Sequence, residues 1–266
     1  MNNLRLYFRY TAISVRGQMQ YRASFVMMSL GQLLITGVEF LGIWALFQRF
    51  GSLRGWTLPQ VALLYGMVNV AFALADAFGR GFDLFAEMIR LGDFDRLLLR
   101  PRDTALQVGA REFVLMRIGR LLQGLVVLSW GAARLNIAWT APKMALLIAA
   151  ILGGACMFYG LFVLQATLSF WTIESLEIMN TVTYGGTETA QYPLPIYQGW
   201  FRRFFTWVVP LACVNYLPAQ AILGRPDPLG APPALQWTAP AVGIAFLLLC
   251  LQAWKLGVRH YRSTGS

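Results

Sequence analysis

Charge, histidine and cysteine are what this chain has least of. Only 13% of its 266 residues are charged, against about 25% in a typical soluble domain. The single histidine, His260, lies six residues from the end, which removes His-based zinc sites and Ser–His nucleophiles. Three cysteines, Cys156, Cys213 and Cys250, sit far apart in apolar surroundings with no C-x-x-C spacing, so neither a disulfide framework nor a metal knuckle is expected. No G-x-x-x-x-G-K-[ST] occurs. The nearest approach, Gly185-Gly186-Thr187, lacks the lysine that reaches the phosphates, so the chain is not expected to hydrolyse ATP. What is abundant is apolar: 57% of residues, with a mean hydropathy of +0.54.

That composition predicts a membrane protein. About 20 apolar residues cross a hydrocarbon core, and the length accommodates six crossings. They read as 23–47, 58–79, 113–133 (continuing a helix that starts near Asp103), 143–171, a Pro-broken 204–223 and 237–256. The fold class is therefore all-α, one transmembrane domain over 1–266. Before the first run, Leu4, Phe8, Ala12, Val15 and Met19 recur at helical spacing beside Arg5, Arg9 and Arg16. That pattern predicts an interfacial amphipathic helix over 1–22 rather than a cleavable signal.

The net charge of +10 would suggest nucleic acid on a soluble protein, but on this chain it reports topology, and no nucleic-acid partner is expected. With the N-terminus inside, 17 Lys and Arg fall on the cytoplasmic side and 5 outside, which puts both termini in the cytoplasm. This count assumes that the polar segment 172–202 is cytoplasmic and that the fifth span starts at Arg203. The alternative makes 171–191 a polar fifth span and 192–223 an outer re-entrant hairpin hinged at Pro210 and Pro218. It would leave Arg202 and Arg203 on the outer face.

The loop between spans two and three, 80–102, carries the clearest pattern. Phe82, Phe85 and Ile89 share one helical face, and Asp83, Glu87 and Arg90 share another. Gly92 stops that helix, and Asp93 is placed to cap a second turn bearing Phe94, Asp95, Arg96, Leu97 and Leu98. A short amphipathic helix of this kind suits the docking of a soluble partner. Within the spans, Glu39, Asn69 and Asp76 are the candidates for lining a translocation path or an interface, because carboxylates in lipid are costly. Asp76 lies one turn from Arg80, its expected partner. Arg117 and Arg120 are expected to snorkel to headgroups. Glu174, Glu177 and Glu188 read as solvated carboxylates or as part of a second docking surface.

The run Ile89, Arg90, Gly92, Asp93, Asp95, Leu98 and Pro101 resembles the loop between spans two and three of ABC-2 type permeases, the membrane subunits of a class of ABC exporters. A second stretch agrees: Asn180, Thr183, Tyr184, Gly185, Gly186 and Glu188, then Tyr192, Pro193, Ile196, Tyr197 and Trp200, then Pro210, Leu211, Asn215, Tyr216 and Pro218. So does the tail Trp254, Gly257, Arg259, Tyr261, Ser263, Gly265 and Ser266. The resemblance implies a pore in a bacterial inner membrane, built as a homodimer or as a heterodimer with a second permease. Its cytoplasmic loop, with Asp83, Glu87, Arg90, Asp93, Asp95 and Arg96, would couple to a separate nucleotide-binding subunit that holds ATP and magnesium. A non-transporting membrane scaffold that docks a soluble partner on the same loop is the alternative.

Overall fold

The computed structural model describes residues 3–172, 176–228 and 230–261. Its elements are helices: α1 Asn3–Met19, α2 Arg22–Phe50, α3 Leu58–Asp83, α4 Phe85–Arg90, α5 Asp93–Leu98, α6 Thr104–Gly109, α7 Ile118–Arg134, α8 Ala141–Leu168, α9 Leu176–Ala190, α10 Gly199–Arg203, α11 Leu217–Leu223, α12 Pro233–Thr238 and α13 Ala241–His260. Four helices among the described residues are long and apolar enough to cross a membrane: α2, α3 with its continuation to Arg90, α8 and α13. The 17-residue α7 is shorter, and the chain from Gly199 to Leu223 is bent rather than a straight span.

α3 is the axis of the bundle. Gln60 accepts a hydrogen bond from the Thr57 backbone N–H (3.1 Å), and Pro59 fits the first turn, so the helix start is fixed locally. α7, α8 and α9 pack around it, α13 packs on α8, and α2 lies against α7. In lipid, helices gain nothing from hiding apolar surface from water, and close backbone approach drives their association instead. Gly66 allows one such approach, since a Cβ there would sit 2.6 Å from Leu128 Cβ.

Two aromatic-rich cores mark the ends of the bundle. At the loop face, Phe82, Phe85, Phe94 and Trp254 are buried together, and Trp254 Nε1 donates to Thr104 Oγ1 (3.0 Å). At the hairpin face, Trp56 meets Tyr216 (6.0 Å between centroids) and Arg54 Nη1 donates to the Pro195 carbonyl (2.6 Å).

Two contacts bracket α9. Trp171 lies beside His260 at the loop face, whereas Pro195 is held by Arg54 at the opposite face. α9 lies between these two contacts and packs on α3 and α8. Thr183, Thr187 and Gln191, four residues apart, turn inward and are buried. The packing side of α9 is thus partly polar.

The chain from Gly199 to Leu223 then dips into the bundle and returns. Both ends are at the hairpin face, where Arg225 Nη1 donates to Gln60 Oε1 (3.1 Å). The apex reaches α3 and α8, with Leu211 and Val214 beside Ala71 and Gly154. The two arms meet at 81°. Pro210 makes the bend: it has no N–H to donate and pushes Val209 into extended geometry (φ −116°, ψ 91°). Pro218 lies in the first turn of α11, where proline is tolerated, so it is not a second hinge.

Two local expectations also change. Asp93 does not cap α5. Gly92, at φ +68°, holds the cap position, and Asp93 is the first helical residue. Nor does one helix run from Asp103 into the third span. α6 ends at Gly109, and the chain extends so that the Val114 N–H reaches the Ala77 carbonyl (3.2 Å). α1 completes that linker. Ser14 Oγ accepts from the Phe113 N–H (3.2 Å), and Gln18 Oε1 accepts from the Leu115 N–H (3.0 Å).

Candidate functional site

Two groups of polar residues stand out, one inside the bundle and one at the loop face. Inside, the start of α7 brings two arginines against the axis helix, Arg117 at the cap position just before it and Arg120 in its first turn. Arg117 Nε lies 2.7 Å from Asp76 Oδ2, with the Arg117 side chain 14% exposed and Asp76 wholly buried. The contact is an ion pair without hydrogen-bond alignment, and neither Asp76 oxygen accepts a hydrogen bond. One turn further along α7, Arg120 Nε donates to Asn69 Oδ1 (2.8 Å), and its guanidinium stacks over the Phe72 ring at 4.5 Å. Asn69 in turn donates to the Tyr65 carbonyl (2.9 Å). The Tyr65 hydroxyl donates to the Thr36 carbonyl (2.9 Å) and accepts from Gln123 Nε2 (3.2 Å), which ties in α2. Breaking a buried pair of this kind leaves an uncompensated charge, so the network clamps α2, α3 and α7 together.

This network opens toward two carboxylates on the surface. Glu39 of α2 and Glu188 of α9 are both exposed, and both lie within electrostatic reach of Arg120 and of each other. Two acids on helix faces with a buried arginine between them form a polar strip beside an otherwise apolar surface.

At the loop face, α4 turns Phe85, Met88 and Ile89 into the core and leaves Glu87 and Arg90 exposed. α5 buries Phe94 and projects Arg96, whose side chain is 82% exposed. Leu91 and Leu99 also stand out to the surface. Asp93 anchors α5, with Arg111 at 2.9 Å and Arg96 at 3.6 Å. Burial, together with the Asp95 carboxylate beside it, pushes the Tyr261 phenol up to about 12, so the ring stays neutral against Phe94. The result is a rigid platform with a charged and apolar outer rim.

A family model described as ABC-2 family transporter protein matches residues 33–265. The chain belongs to that family. It is a multi-pass membrane protein and a transport membrane component of the ABC class, from a family that is generally non-catalytic. No curated protein and no solved structure matches it.

In this ABC-2 chain the residues singled out from sequence are sorted by their surroundings. Glu87, Arg90 and Arg96 are surface groups. Asp83 is not: it pairs with Arg80 and accepts from Gln165 Nε2 (3.1 Å), which ties the end of α3 to α8. Asp76 takes Arg117 rather than Arg80 as its partner. Asn69 serves the Arg120 contact and is fully buried. Of the three intramembrane candidates, only Glu39 is open to a ligand or a neighbouring subunit.

Arg117 and Arg120 were expected at headgroups, yet both are built into the bundle. Their i, i+3 spacing on one face of α7 is the signal that carried this information. Glu188, which reads from sequence as a solvated or docking carboxylate, is exposed and lies within electrostatic reach of Glu39. Glu174 is outside the described residues. Among the described residues no cluster of three or more His, Cys, Asp or Glu is placed to hold a metal.

Proposed function

We propose that this chain is the permease subunit of an ATP-driven exporter in a bacterial inner membrane, working as a homodimer or a heterodimer. A separate nucleotide-binding subunit holds ATP and magnesium. The loop face is cytoplasmic, with both termini on that side, and α1 lies at the membrane surface. α9 is the fifth crossing and the segment from Gly199 to Leu223 an outer re-entrant hairpin. Moving Arg202 and Arg203 outward leaves 15 basic residues inside against 7 outside, and the bias keeps its sign.

The observation that carries the reading is the α4–α5 platform in a chain of this family. Its rim offers Glu87, Arg90 and Arg96 around Leu91 and Leu99, as a docking surface for a soluble partner requires. Beneath the rim, Phe85, Phe94 and Trp254 connect it to α3 and α13. A push on the rim is therefore delivered to the two helices that the platform is built on. The translocation path follows the strip marked by Glu39 and Glu188, with α2 turned toward the second protomer.

The test is to purify the transporter with its ATPase partner and reverse the rim charges (Glu87→Arg with Arg96→Glu). Transport is expected to fall at least tenfold, with permease-stimulated ATP hydrolysis lost or unlinked from transport. Unchanged transport and unchanged stimulation would overturn the coupling role. A retained partner with no ATP-driven movement in the unmodified protein would instead favour the scaffold.

A further inference from the structure

A cavity of about 660 Å³ lies between the hairpin and α12 at the hairpin face, apart from both groups described above. That volume is within the range of about 300–1,000 Å³ usual for ligand pockets. Its walls are mainly apolar, with Trp207, Pro210, Leu217, Leu235 and Val242 among them. Trp207 is 81% exposed, and the neighbouring Val208 is also exposed, so the cavity is open along the side of the bundle as well as at its end.

Two arginines stand at this cavity, Arg202 half-buried and Arg203 exposed. Neither makes an ion pair among the described residues. Other basic groups at this face are engaged: Arg54 donates to the Pro195 carbonyl, and Arg225 donates to Gln60 and stacks over Trp56 at 5.9 Å. The one acid lining the cavity is Asp227. Its Oδ1 accepts from the Tyr216 hydroxyl and its Oδ2 from the Ala231 N–H, each at 3.1 Å. The cavity lining therefore carries two guanidinium groups against one carboxylate, a net positive charge beside an apolar trough. Their sign calls for an anion, and the trough calls for hydrocarbon attached to it.

We propose that this cavity holds one anionic phospholipid. The phosphate lies on Arg202 and Arg203, where guanidinium groups give charge-assisted hydrogen bonds, and an acyl chain runs along Trp207, Pro210 and Leu235. The site is carried by charge and shape at the hairpin. It stands whether or not the loop face couples to an ATPase.

Native mass spectrometry of the full-length, detergent-purified protein tests this. Dioleoyl phosphatidylglycerol and dioleoyl phosphatidylcholine are supplied at equal concentration, with glycerol phosphate as a chain-free competitor. One phosphatidylglycerol is expected to be retained, preferred over phosphatidylcholine on the order of tenfold. Arg202→Gln with Arg203→Gln should remove that preference. Leu235→Trp, which fills the trough and keeps both arginines, should lower retention of the lipid to a similar degree, and it keeps the test open should the double variant not fold. Arg134→Gln with Lys143→Gln, the same charge change near the ends of α7 and α8, should leave retention unchanged. Equal retention of the two lipids, retention that survives both site variants, an equal loss in the Arg134 and Lys143 control, or glycerol phosphate competing as well as the lipid would each overturn the proposal.

Discussion

α2 and α3 are consecutive helices of nearly equal apolarity, with mean hydropathies of 1.7 and 1.8 over their most apolar windows, yet 17% of one window is buried and 89% of the other. Composition therefore says nothing about which helix is the axis. The difference lies in what each can lock onto. α3 carries Gly66 against Leu128, Asn69 beneath Arg120 and Asp76 beside Arg117. α2 buries only Thr36, Ile43 and Phe47, while a Cβ at Gly31, Gly37 or Gly42 would meet nothing. In lipid, small residues and polar contacts decide which faces are protein-facing, because apolar side chains are equally at home against acyl tails. The free side of α2, with Glu39 on it, is thus the surface left for lipid or a second protomer.

The largest effect that sharpens this contrast comes from the axis. Asp76→Leu should leave Arg117 buried and unpaired and cost about 3–5 kcal/mol, read as loss of folded, monodisperse protein. Asp76→Leu combined with Arg117→Met should recover most of that loss, since a buried pair replaced by apolar groups is close to neutral. If the double variant is as damaged as the single one, the pair has a role beyond mutual neutralisation.

A smaller effect tests packing directly. Gly66→Ala would place a Cβ 2.6 Å from Leu128 Cβ and 2.7 Å from its Cα, at a cost of about 1–3 kcal/mol in thermal stability. Gly37→Ala on α2 meets open space and should hold or raise the unfolding midpoint, because alanine is the better helix former. Equal losses at both sites would break the comparison.

The smallest structural effect is at Glu39. Glu39→Gln should leave the unfolding midpoint within about 0.5 kcal/mol of the parent, as surface changes usually do. It should lower ATP-driven transport several-fold in reconstituted vesicles. A drop in stability without a change in transport would assign Glu39 to packing.

Much of the loop face is legible in the sequence because its determinants are local. The spacing of Phe82, Phe85 and Ile89 names the buried side, and Gly92 marks the stop with its positive φ. The interior was less legible because its determinants are distant in sequence. Arg80 is four residues from Asp76 and looks like the natural partner, but it pairs with Asp83, and the ion pair to Asp76 comes from Arg117, 41 positions away. The packing of α9 also depends on partners distant in sequence. Thr183, Thr187 and Gln191 look too polar for lipid, and they are buried where α9 packs on α3, α8 and the hairpin.

The sequence by itself determined that this is a helical membrane protein, where its long apolar helices lie, which loop is amphipathic and which family it belongs to. Those properties are sums over neighbouring residues, and partition into lipid depends on such sums. Only the tertiary structure decided that α3 and not α2 is the axis, that two arginines are held inside while two others line a cavity, and that the fifth apolar stretch turns back at Pro210. Each depends on which groups meet across the bundle, and the cost of a charge or a polar helix depends on its neighbours in space.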